Sequence, residues 1–178
     1  VNMSAKVLIS PTELSGFMKS EPVVLIDTRD PGQFSEGHIP GAVNVREVFT
    51  YLATSSSGGL GALREKFAEA FGKAGLSGAE TAVVYEQSME SGFGQSCRGY
   101  ILLRYLGYPK IRVLHGGFAA WRAAGLSISA DASEPAPRQF PIRRDSGQVL
   151  VDLETMKAAV ADEAVVKLDV RDVDEWIG

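Results

Sequence analysis

The sequence predicts an α/β domain with a central, mostly parallel sheet flanked by helices, followed by the opening of a second domain of the same kind. Three observations support this prediction. Short β-branched runs alternate with helix-like segments, glycines follow several of the helical segments, and the first part of the pattern recurs near the C-terminus. Alternating strands and helices are typical of parallel sheets, because each helix returns the chain to the same edge of the sheet.

Five short apolar runs are predicted to be strands. The two clearest, 23–27 and 81–85, are rich in valine and each hold four consecutive apolar residues, which is typical of strands buried on both faces. Three shorter strands are predicted at 7–9, 42–45 and 111–114.

Four helices are predicted between these strands. Leu63, Phe67 and Phe71 recur at four-residue spacing, which indicates an amphipathic helix that Gly75 ends. A serine followed by a proline begins the first helix, since a hydroxyl cap and a first-turn proline both favour a helix start. The predicted ranges are 12–19, 62–74, 95–106 and 118–124.

Composition narrows the classes of function. Hydrophobic residues make up 45% of the 178 and charged residues 22%, the ordinary balance of a globular protein, and the net charge of −4 disfavours nucleic acid or an anionic membrane as partner. No apolar run approaches the roughly 18 residues of a membrane helix. A single cysteine, Cys97, excludes an internal disulfide framework and a multi-cysteine metal site. We therefore expect a reducing, cytoplasmic setting, no metal and no cofactor.

An internal repeat appears when the chain is offset by 142 residues. Apolar positions then meet apolar positions without a gap, and an Asp-x-Arg-Asp tetrapeptide recurs after each second strand. Agreement of a charged tetrapeptide in register with the strands indicates a duplication. The matched pairs include Ile26 with Leu168, Asp27 with Asp169, Arg29 with Arg171 and Phe34 with Trp176.

The repeat predicts the domain organisation. A first domain spans 6–128, a proline-rich linker 129–147, and the start of a second domain 148–178. The second copy holds a strand, a helix, a strand and a turn, which bury too little apolar area to offset the entropy of ordering them. We expect either that the coding sequence continues or that a separate polypeptide completes this domain.

Four stretches of the sequence resemble the rhodanese family. Residues 27–31 and 34–44, Asp-Thr-Arg-Asp-Pro and Phe-Ser-Glu-Gly-His-Ile-Pro-Gly-Ala-Val-Asn, are similar to the N-terminal signature of rhodanese domains. Residues 104–108 are similar to a helix end of these domains and 113–121 to their closing turn and helix. The resemblance covers 6–128 and resumes at 149–178. It implies an enzyme that moves sulfane sulfur from thiosulfate or 3-mercaptopyruvate to cyanide or a thiol.

The resemblance also implies a cysteine directly after the central strand, at the mouth of a helix that lowers the pKa of its thiol. Here Glu86 stands at that position, and a carboxylate cannot form a persulfide. The chain thus resembles the first, inactive domain of tandem rhodaneses, and we expect the catalytic cysteine in the second domain, beyond residue 178. Asp169 and Arg171 match the second copy of the motif and are expected to support that site. Glu175 replaces an arginine frequent in the family, which leaves the preferred donor open.

Other candidate residues have structural interpretations. Asp27 and Arg29, two residues apart at a strand end, are expected to pin the following loop. His38 lies in a tight connection and is expected to be a satisfied structural histidine. Cys97 falls inside a predicted helix, where a small buried residue is expected. It begins no Cys-x5-Arg loop, which disfavours a rhodanese-related phosphatase.

Two hypotheses of function remain. In the first, the full-length protein is a sulfurtransferase whose partners are a small sulfur-donor anion, a thiophilic acceptor and the remaining part of the second domain, while this segment alone is inactive. In the second, the chain is a non-catalytic rhodanese module that binds a partner or organises a larger protein, which Glu86 favours.

Overall fold

The computed structural model describes residues 6–88, 90, 94–143, 149–171 and 173–178. The chain divides into two compact units, residues 1–147 and residues 148–178. In the part of the chain that the structure describes, the first unit holds a five-stranded sheet with helices around it, and the second unit holds two helices.

The sheet of the first unit has the strand order β1-β5-β4-β2-β3, and each adjacent pair is parallel. The predicted α/β fold with a mostly parallel sheet is therefore confirmed. The two longest strands, β2 and β4, lie side by side at its centre, with Asp27 level with Tyr85. The strands are β1 (Leu8–Ile9), β2 (Val23–Asp27), β3 (Val43–Asn44), β4 (Thr81–Tyr85) and β5 (Ile111–Leu114).

The core lies on both faces of this sheet. Every residue of β4 is buried, and successive side chains alternate between two hydrophobic clusters. Ala82 and Val84 belong to one cluster, whereas Val83 and Tyr85 belong to the other. This double burial explains why the β4 sequence reads as a continuous apolar run. The first cluster also includes Phe67, Phe71, Leu103 and Tyr108, and the second includes Leu14, Ile39, Phe118 and Trp121.

Six helices are described in the first unit. The first begins with a capping box, in which Ser10 accepts from the amide of Glu13 and the Glu13 carboxylate accepts from the amide of Ser10. The helices are α1 (Pro11–Phe17), α2 (Pro31–Glu36), α3 (Glu47–Thr50), α4 (Ser57–Lys73), α5 (Gly94–Tyr105) and α6 (Gly117–Ala123).

The structure differs from the sequence prediction at three helices. The α4 helix begins at Ser57, not at residue 62, because the Ser56 hydroxyl accepts from the Gly59 amide at 3.1 Å and starts the helix early. The short helices α2 and α3 were not predicted, since four to six residues show no helical periodicity. A cap was present for α2, where the Asp30 carboxylate accepts from the Gly32 amide at 2.9 Å.

The proline-rich stretch predicted as a linker belongs to the first unit, and its described part, 129–143, packs against the rest of that unit. The amide of Arg138 donates to the carbonyl of Gly72 at 2.8 Å, and the amide of Arg143 donates to the carbonyl of Leu106 at 3.0 Å. Between them Phe140 is buried in the first cluster, with its ring centroid 5.3 Å from that of Tyr108. The stretch closes one side of the core, and the predicted domain end at residue 128 stays a prediction.

We expect Phe140→Ala to lower the free energy of unfolding of the first unit by about 3–5 kcal/mol, because it removes a buried aromatic side chain. The matched control is Ile142→Ala, since Ile142 is 52% exposed and its loss should change stability by less than about 0.5 kcal/mol. Urea unfolding followed by circular dichroism measures both. Equal, small effects of the two variants would show that 129–143 is a linker independent of the core.

The second unit has little buried surface in its described residues. It forms α7 (Leu153–Ala161) and α8 (Val173–Ile177), and the Asp152 carboxylate caps α7 by accepting from the Thr155 amide at 2.8 Å. Large apolar side chains such as Leu168 (82%) and Trp176 (64%) are exposed. The strands expected in this copy do not appear among its described residues, because an isolated strand has no neighbour to share its backbone hydrogen bonds.

Candidate functional site at the carboxyl edge of the sheet

The candidate site lies where the parallel strands β2 and β4 end. Ligands of open α/β sheets bind at this carboxyl edge, because the loops that follow adjacent strands converge there. Residues 27–29 leave β2 and residues 86–87 leave β4, and the register places Asp27 beside Tyr85. A cavity of about 290 Å³ opens here, lined in part by Arg29, Gln87 and Phe118.

Asp27 and Arg29 form a buried fork at the end of β2. The Arg29 side chain donates from Nε to both Asp27 oxygens at 3.1 Å and from Nη2 to Oδ2 at 2.8 Å, and its amide donates to Oδ1 at 2.9 Å. Arg29 is 3% exposed and Asp27 fully buried. A two-point contact between planar groups of opposite charge fixes both side chains in orientation as well as position.

The remaining donors of Arg29 hold the loops around it. Nη2 donates to the carbonyl of Gly37 at 2.8 Å, and Nη1 donates to the side-chain oxygen of Gln87 at 3.1 Å. The guanidinium also lies 3.9 Å from the ring centroid of Phe118. One side chain thus connects β2, the loop after β4 and α6.

Tyr85 completes the buried end of β4. Its burial and the nearby Asp27 carboxylate raise the pKa of its phenol far above the ordinary value, so the group stays protonated. The phenol oxygen accepts from the amide of Ile39 at 3.4 Å. Tyr85 is therefore a structural phenol that supports the residue following it, Glu86.

Glu86 turns its carboxylate onto the first turn of α5. Oε2 accepts from the Ser96 amide at 2.7 Å and from the Ser96 hydroxyl, and Glu86 is 3% exposed. Amides in the first turn of a helix have no partner within the helix and favour a negative charge. The carboxylate therefore fills an anion position formed by the chain itself, at the point where a thiolate would gain the same stabilisation.

The loop that begins at Glu86 is also fixed by its backbone. The carbonyl of Glu86 accepts from the amide of Phe118, and that of Gln87 accepts from the amide of Ala119, both at 2.9 Å. Gly117 permits this approach, because a Cβ there would lie 2.5 Å from the Glu86 oxygen and its φ is +61°. The rest of the loop includes residues 89 and 91–93, which lie outside the described residues.

Sequence reasoning missed several side chains that shape this edge. Arg46 donates from Nη1 to the carbonyl of Thr28 at 3.0 Å and to the Gln95 side chain at 3.2 Å, and so joins β2 to α5. Ser96 and Gln87 act on the candidate site through Glu86 and Arg29, respectively.

Cys97 lies in the first turn of α5, as its predicted helix implied, but the expectation that it is buried is wrong. The thiol is exposed, because its neighbours Ser96 and Gly99 take the inward positions. Partial desolvation and the Glu86 carboxylate raise the pKa of the thiol above its ordinary value. The geometry therefore disfavours the thiolate that sulfur chemistry requires.

His38 lies in the connection between α2 and β3, and its ring is held on both sides. His38 is fully buried, and both its ring nitrogens lie at hydrogen-bond distance from carbonyl oxygens.

In the second unit Arg171 donates from Nε and Nη2 to both Asp169 oxygens, at 2.6–3.0 Å. These contacts hold the pKa of the Asp169 carboxyl below its ordinary value.

The described residues hold neither a metal-binding cluster nor a membrane-spanning helix. They contain no group of three or more histidine, cysteine, aspartate or glutamate side chains arranged to hold a metal ion. No helix among them is long and apolar enough to cross a membrane. A larger cavity, of about 580 Å³, lies between β3 and residues 133–137 and is lined by neither Arg29 nor Glu86.

The parallel sheet and the Asp-x-Arg fork at its carboxyl edge define an α/β domain whose candidate site lies in the loops at that edge. The model of the Rhodanese-like domain matches residues 10–124, and the chain belongs to this family. Thiosulfate sulfurtransferase from Azotobacter vinelandii is 28% identical over 173 residues, which cover 97% of this chain and 59% of that protein. Human 3-mercaptopyruvate sulfurtransferase is 31% identical over 113 residues, 64% of this chain and 38% of that protein.

A solved structure shows the same fold. The crystal structure of the 3-mercaptopyruvate sulfotransferase SseA from Escherichia coli matches with a TM-score of 0.77 and 22% identity, over 97% of this chain and 68% of that one. The chain thus spans about three-fifths of the length of the first curated relatives, which extend beyond the matched part.

We expect Glu86→Gln to lower the free energy of unfolding by about 1–2 kcal/mol, because it removes a buried charge that accepts two hydrogen bonds at a helix N-terminus. Glu90→Gln is the matched control, since Glu90 is exposed and its neutralisation should leave stability nearly unchanged. Urea unfolding at neutral pH measures both. A Glu86 variant as stable as the control would contradict the internal anion described above.

Proposed function

We propose that this chain is the first, non-catalytic domain of a tandem rhodanese sulfurtransferase together with the opening of the second domain, which supplies the persulfide cysteine. The observation that carries the proposal is the position of Glu86. Its carboxylate is bound to the first turn of α5, directly after β4, where sulfur relay needs a thiolate. Because a carboxylate forms no persulfide, the nucleophile has to come from another part of the complete protein.

The proposed reaction has two steps. The thiolate attacks the sulfur atom that is transferred, and the donor's bond to that sulfur breaks. Sulfite leaves when the donor is thiosulfate, and the enolate of pyruvate leaves and takes up a proton when the donor is 3-mercaptopyruvate. Cyanide or a thiolate then attacks the outer sulfur of the persulfide and regenerates the enzyme thiolate. Splitting the transfer in this way replaces one difficult step with two easier ones, and a low thiol pKa favours the first of them.

Recurring helix starts support a second copy of the fold. At the 142-residue offset, Pro11 of α1 meets Leu153 of α7, and Pro31 of α2 meets Val173 of α8, so both helices begin at matched positions. The caps of α1 and α7 match as well. Ser10 accepts from an amide three residues later, and Asp152 does the same.

The second fork supports a role for Asp169 and Arg171 in the proposed site. The hydrogen bonds from Nε, Nη2 and the backbone amide of Arg171 to Asp169 repeat those of the Arg29 fork atom for atom. In the first unit the corresponding arginine, Arg29, holds Gln87, the residue after the expected cysteine position. We infer that Arg171 holds the residue after the catalytic cysteine in the complete second domain.

The exposed apolar side chains of the second unit support a requirement for further chain. Met156 is 44% exposed and Leu168 82%, whereas their counterparts Leu14 and Ile26 are fully buried. In the first unit β2 lies between β3 and β4, so a completed second copy would supply two strands beside residues 165–169. The partner we propose is therefore the remaining C-terminal part of the second domain.

The proposed substrates are a small sulfur-donor anion and a thiophilic acceptor, in a cytoplasmic setting. The names of the relatives, thiosulfate and 3-mercaptopyruvate sulfurtransferases, support these two donor classes. The second candidate function is a non-catalytic rhodanese module that binds a partner. Glu86 favours this second function equally. The second function would hold if the second domain also lacked a cysteine after its central strand.

The proposal predicts the activity of two proteins. Residues 1–178 should show no turnover of thiosulfate or 3-mercaptopyruvate with cyanide, whereas the full-length protein should release thiocyanate with at least one of them. In the full-length protein, Arg171→Lys should lower kcat about 10-fold or more by loosening the loop, since lysine cannot form the two-point contact. Lys167→Arg, a change of the neighbouring exposed cation, should leave kcat unchanged.

Each result separates the two candidate functions. Turnover by the full-length protein that disappears when serine replaces the second-domain cysteine supports the sulfurtransferase. A full-length protein that binds a partner but turns over neither donor supports the non-catalytic module. Turnover by residues 1–178 alone would contradict the assignment of Glu86.

A further inference from the structure

The edge strand β3 has one side that no other strand covers. Among the strands that the structure describes, β3 lies at one end of the sheet and pairs with β2 alone. The amide of Val45 donates to the carbonyl of Asp27 at 2.8 Å, toward β2. Because the backbone groups of successive residues in a strand point to opposite sides, the N–H and C=O of Asn44 point away from β2. Asn44 therefore offers one donor and one acceptor for pairing with a further chain.

A cavity of about 580 Å³ lies beside this uncovered side of β3. Residues 43–45 line it on one side and residues 133–137 on the other, and Ala70 and Ala74 of α4 add small apolar side chains. Ligand sites in proteins commonly have volumes of about 300–1,000 Å³. The cavity is therefore large enough to hold a ligand in contact with the backbone of β3.

The segment opposite β3, residues 133–137, does not pair with this strand. Pro135 and Pro137 have no N–H, so they cannot donate to a strand beside them. Prolines next to an edge strand can also protect it from unwanted pairing. A protecting segment would lie against the strand, whereas here the cavity separates the two. The outward backbone groups of Asn44 therefore stay accessible to a further chain.

Contacts at both ends hold the segment opposite β3 in place. The Ser133 hydroxyl donates to the carbonyl of Gly41 at 3.4 Å, and the amide of Arg138 donates to the carbonyl of Gly72 at 2.8 Å. Phe140, two residues after Arg138, is buried in the first hydrophobic cluster. The walls of the cavity are thus formed before a ligand binds, which avoids the entropy cost of ordering them on binding.

The charges that line the cavity are negative on balance. Glu47 and Glu134 are exposed, and neither forms an ion pair with another residue that the structure describes. Lys73, the cation among the described lining residues, forms an ion pair with Glu69 one helical turn before it. Because the charge of Lys73 is neutralised within α4 and those of the two carboxylates are not, the lining favours a ligand with a positive charge.

We propose that the cavity beside β3 binds a short, extended peptide segment that carries lysine or arginine. The peptide backbone pairs with the N–H and C=O of Asn44 and extends the sheet, while its cationic side chain lies near Glu47 and Glu134. Addition of a strand to a sheet edge is a recurring mode of peptide recognition, in which backbone hydrogen bonds give affinity and side chains give specificity. The proposal is independent of sulfur transfer, since neither Arg29 nor Glu86 lines this cavity.

A nuclear magnetic resonance titration of the 178-residue chain tests the proposal. The probe is a pentapeptide of alternating valine and lysine, acetylated and amidated at its ends so that only its side chains carry charge. We expect a saturable shift of the Asn44 amide signal and, at saturation, about 10-fold slower hydrogen exchange of this amide. The same peptide with glutamate in place of lysine should leave the signal unchanged, and added salt should weaken binding of the lysine peptide.

Paired variants and a modified peptide separate strand pairing from charge attraction alone. Glu47→Gln combined with Glu134→Gln should weaken binding of the lysine peptide about 5-fold, because both carboxylates of the cavity are removed. Glu21→Gln combined with Glu65→Gln is the matched control, since these exposed glutamates do not line the cavity. Methylation of the backbone nitrogens of the peptide should abolish binding, because a methylated nitrogen cannot donate to the Asn44 carbonyl.

Three results would overturn the proposal. The first is an Asn44 amide signal without a saturable shift up to about 5 mM lysine peptide. The second is equal binding of the lysine and glutamate peptides. The third is equal binding of the methylated peptide or of butylammonium, which would make the cavity a site for an amine and not for a strand. All four substituted glutamates are exposed, so the variants are expected to keep the fold.

Discussion

The buried fork between Asp27 and Arg29 is the interaction on which the carboxyl edge of this domain depends. Burying two charges costs free energy of desolvation, which a two-point contact and further hydrogen bonds have to offset. Here the fork has those contacts, since Arg29 also donates to Gly37 and Gln87 and lies over Phe118. Loss of either partner would leave an uncompensated buried charge, a change that typically costs about 3–5 kcal/mol.

This construction separates the frame of the site from its chemistry. The fork, the backbone contacts of Glu86 and Gln87, and the close approach at Gly117 fix where the loop after β4 begins. The residue that directly follows β4 then determines the chemistry of the site, because the first turn of α5 stabilises a thiolate or a carboxylate by the same hydrogen bonds. With Glu86 there, the anion position is filled by the chain. The fold alone therefore does not determine the chemistry at this edge of the sheet.

Strong, local signals in the sequence predicted the centre of the sheet and several residues at its carboxyl edge. The uninterrupted apolar runs of β2 and β4 predicted the centre of the sheet, and the family signature located Glu86 and the fork. The remaining features depend on tertiary contacts, which a sequence pattern does not show. The burial of Phe140 depends on a stretch with no periodicity, and the exposure of Cys97 depends on which face of α5 meets the sheet. Gln87 had no signal, since its role exists only beside Arg29.

The most direct measurement is intact mass spectrometry of residues 1–178 after treatment with thiosulfate or 3-mercaptopyruvate. The central claim is that this part of the protein lacks a thiol able to relay sulfur, because a glutamate, Glu86, follows β4 directly and because partial burial and the Glu86 carboxylate raise the pKa of the Cys97 thiol. The account predicts an unchanged mass. A sulfur adduct on Cys97 that cyanide then removes as thiocyanate would contradict it.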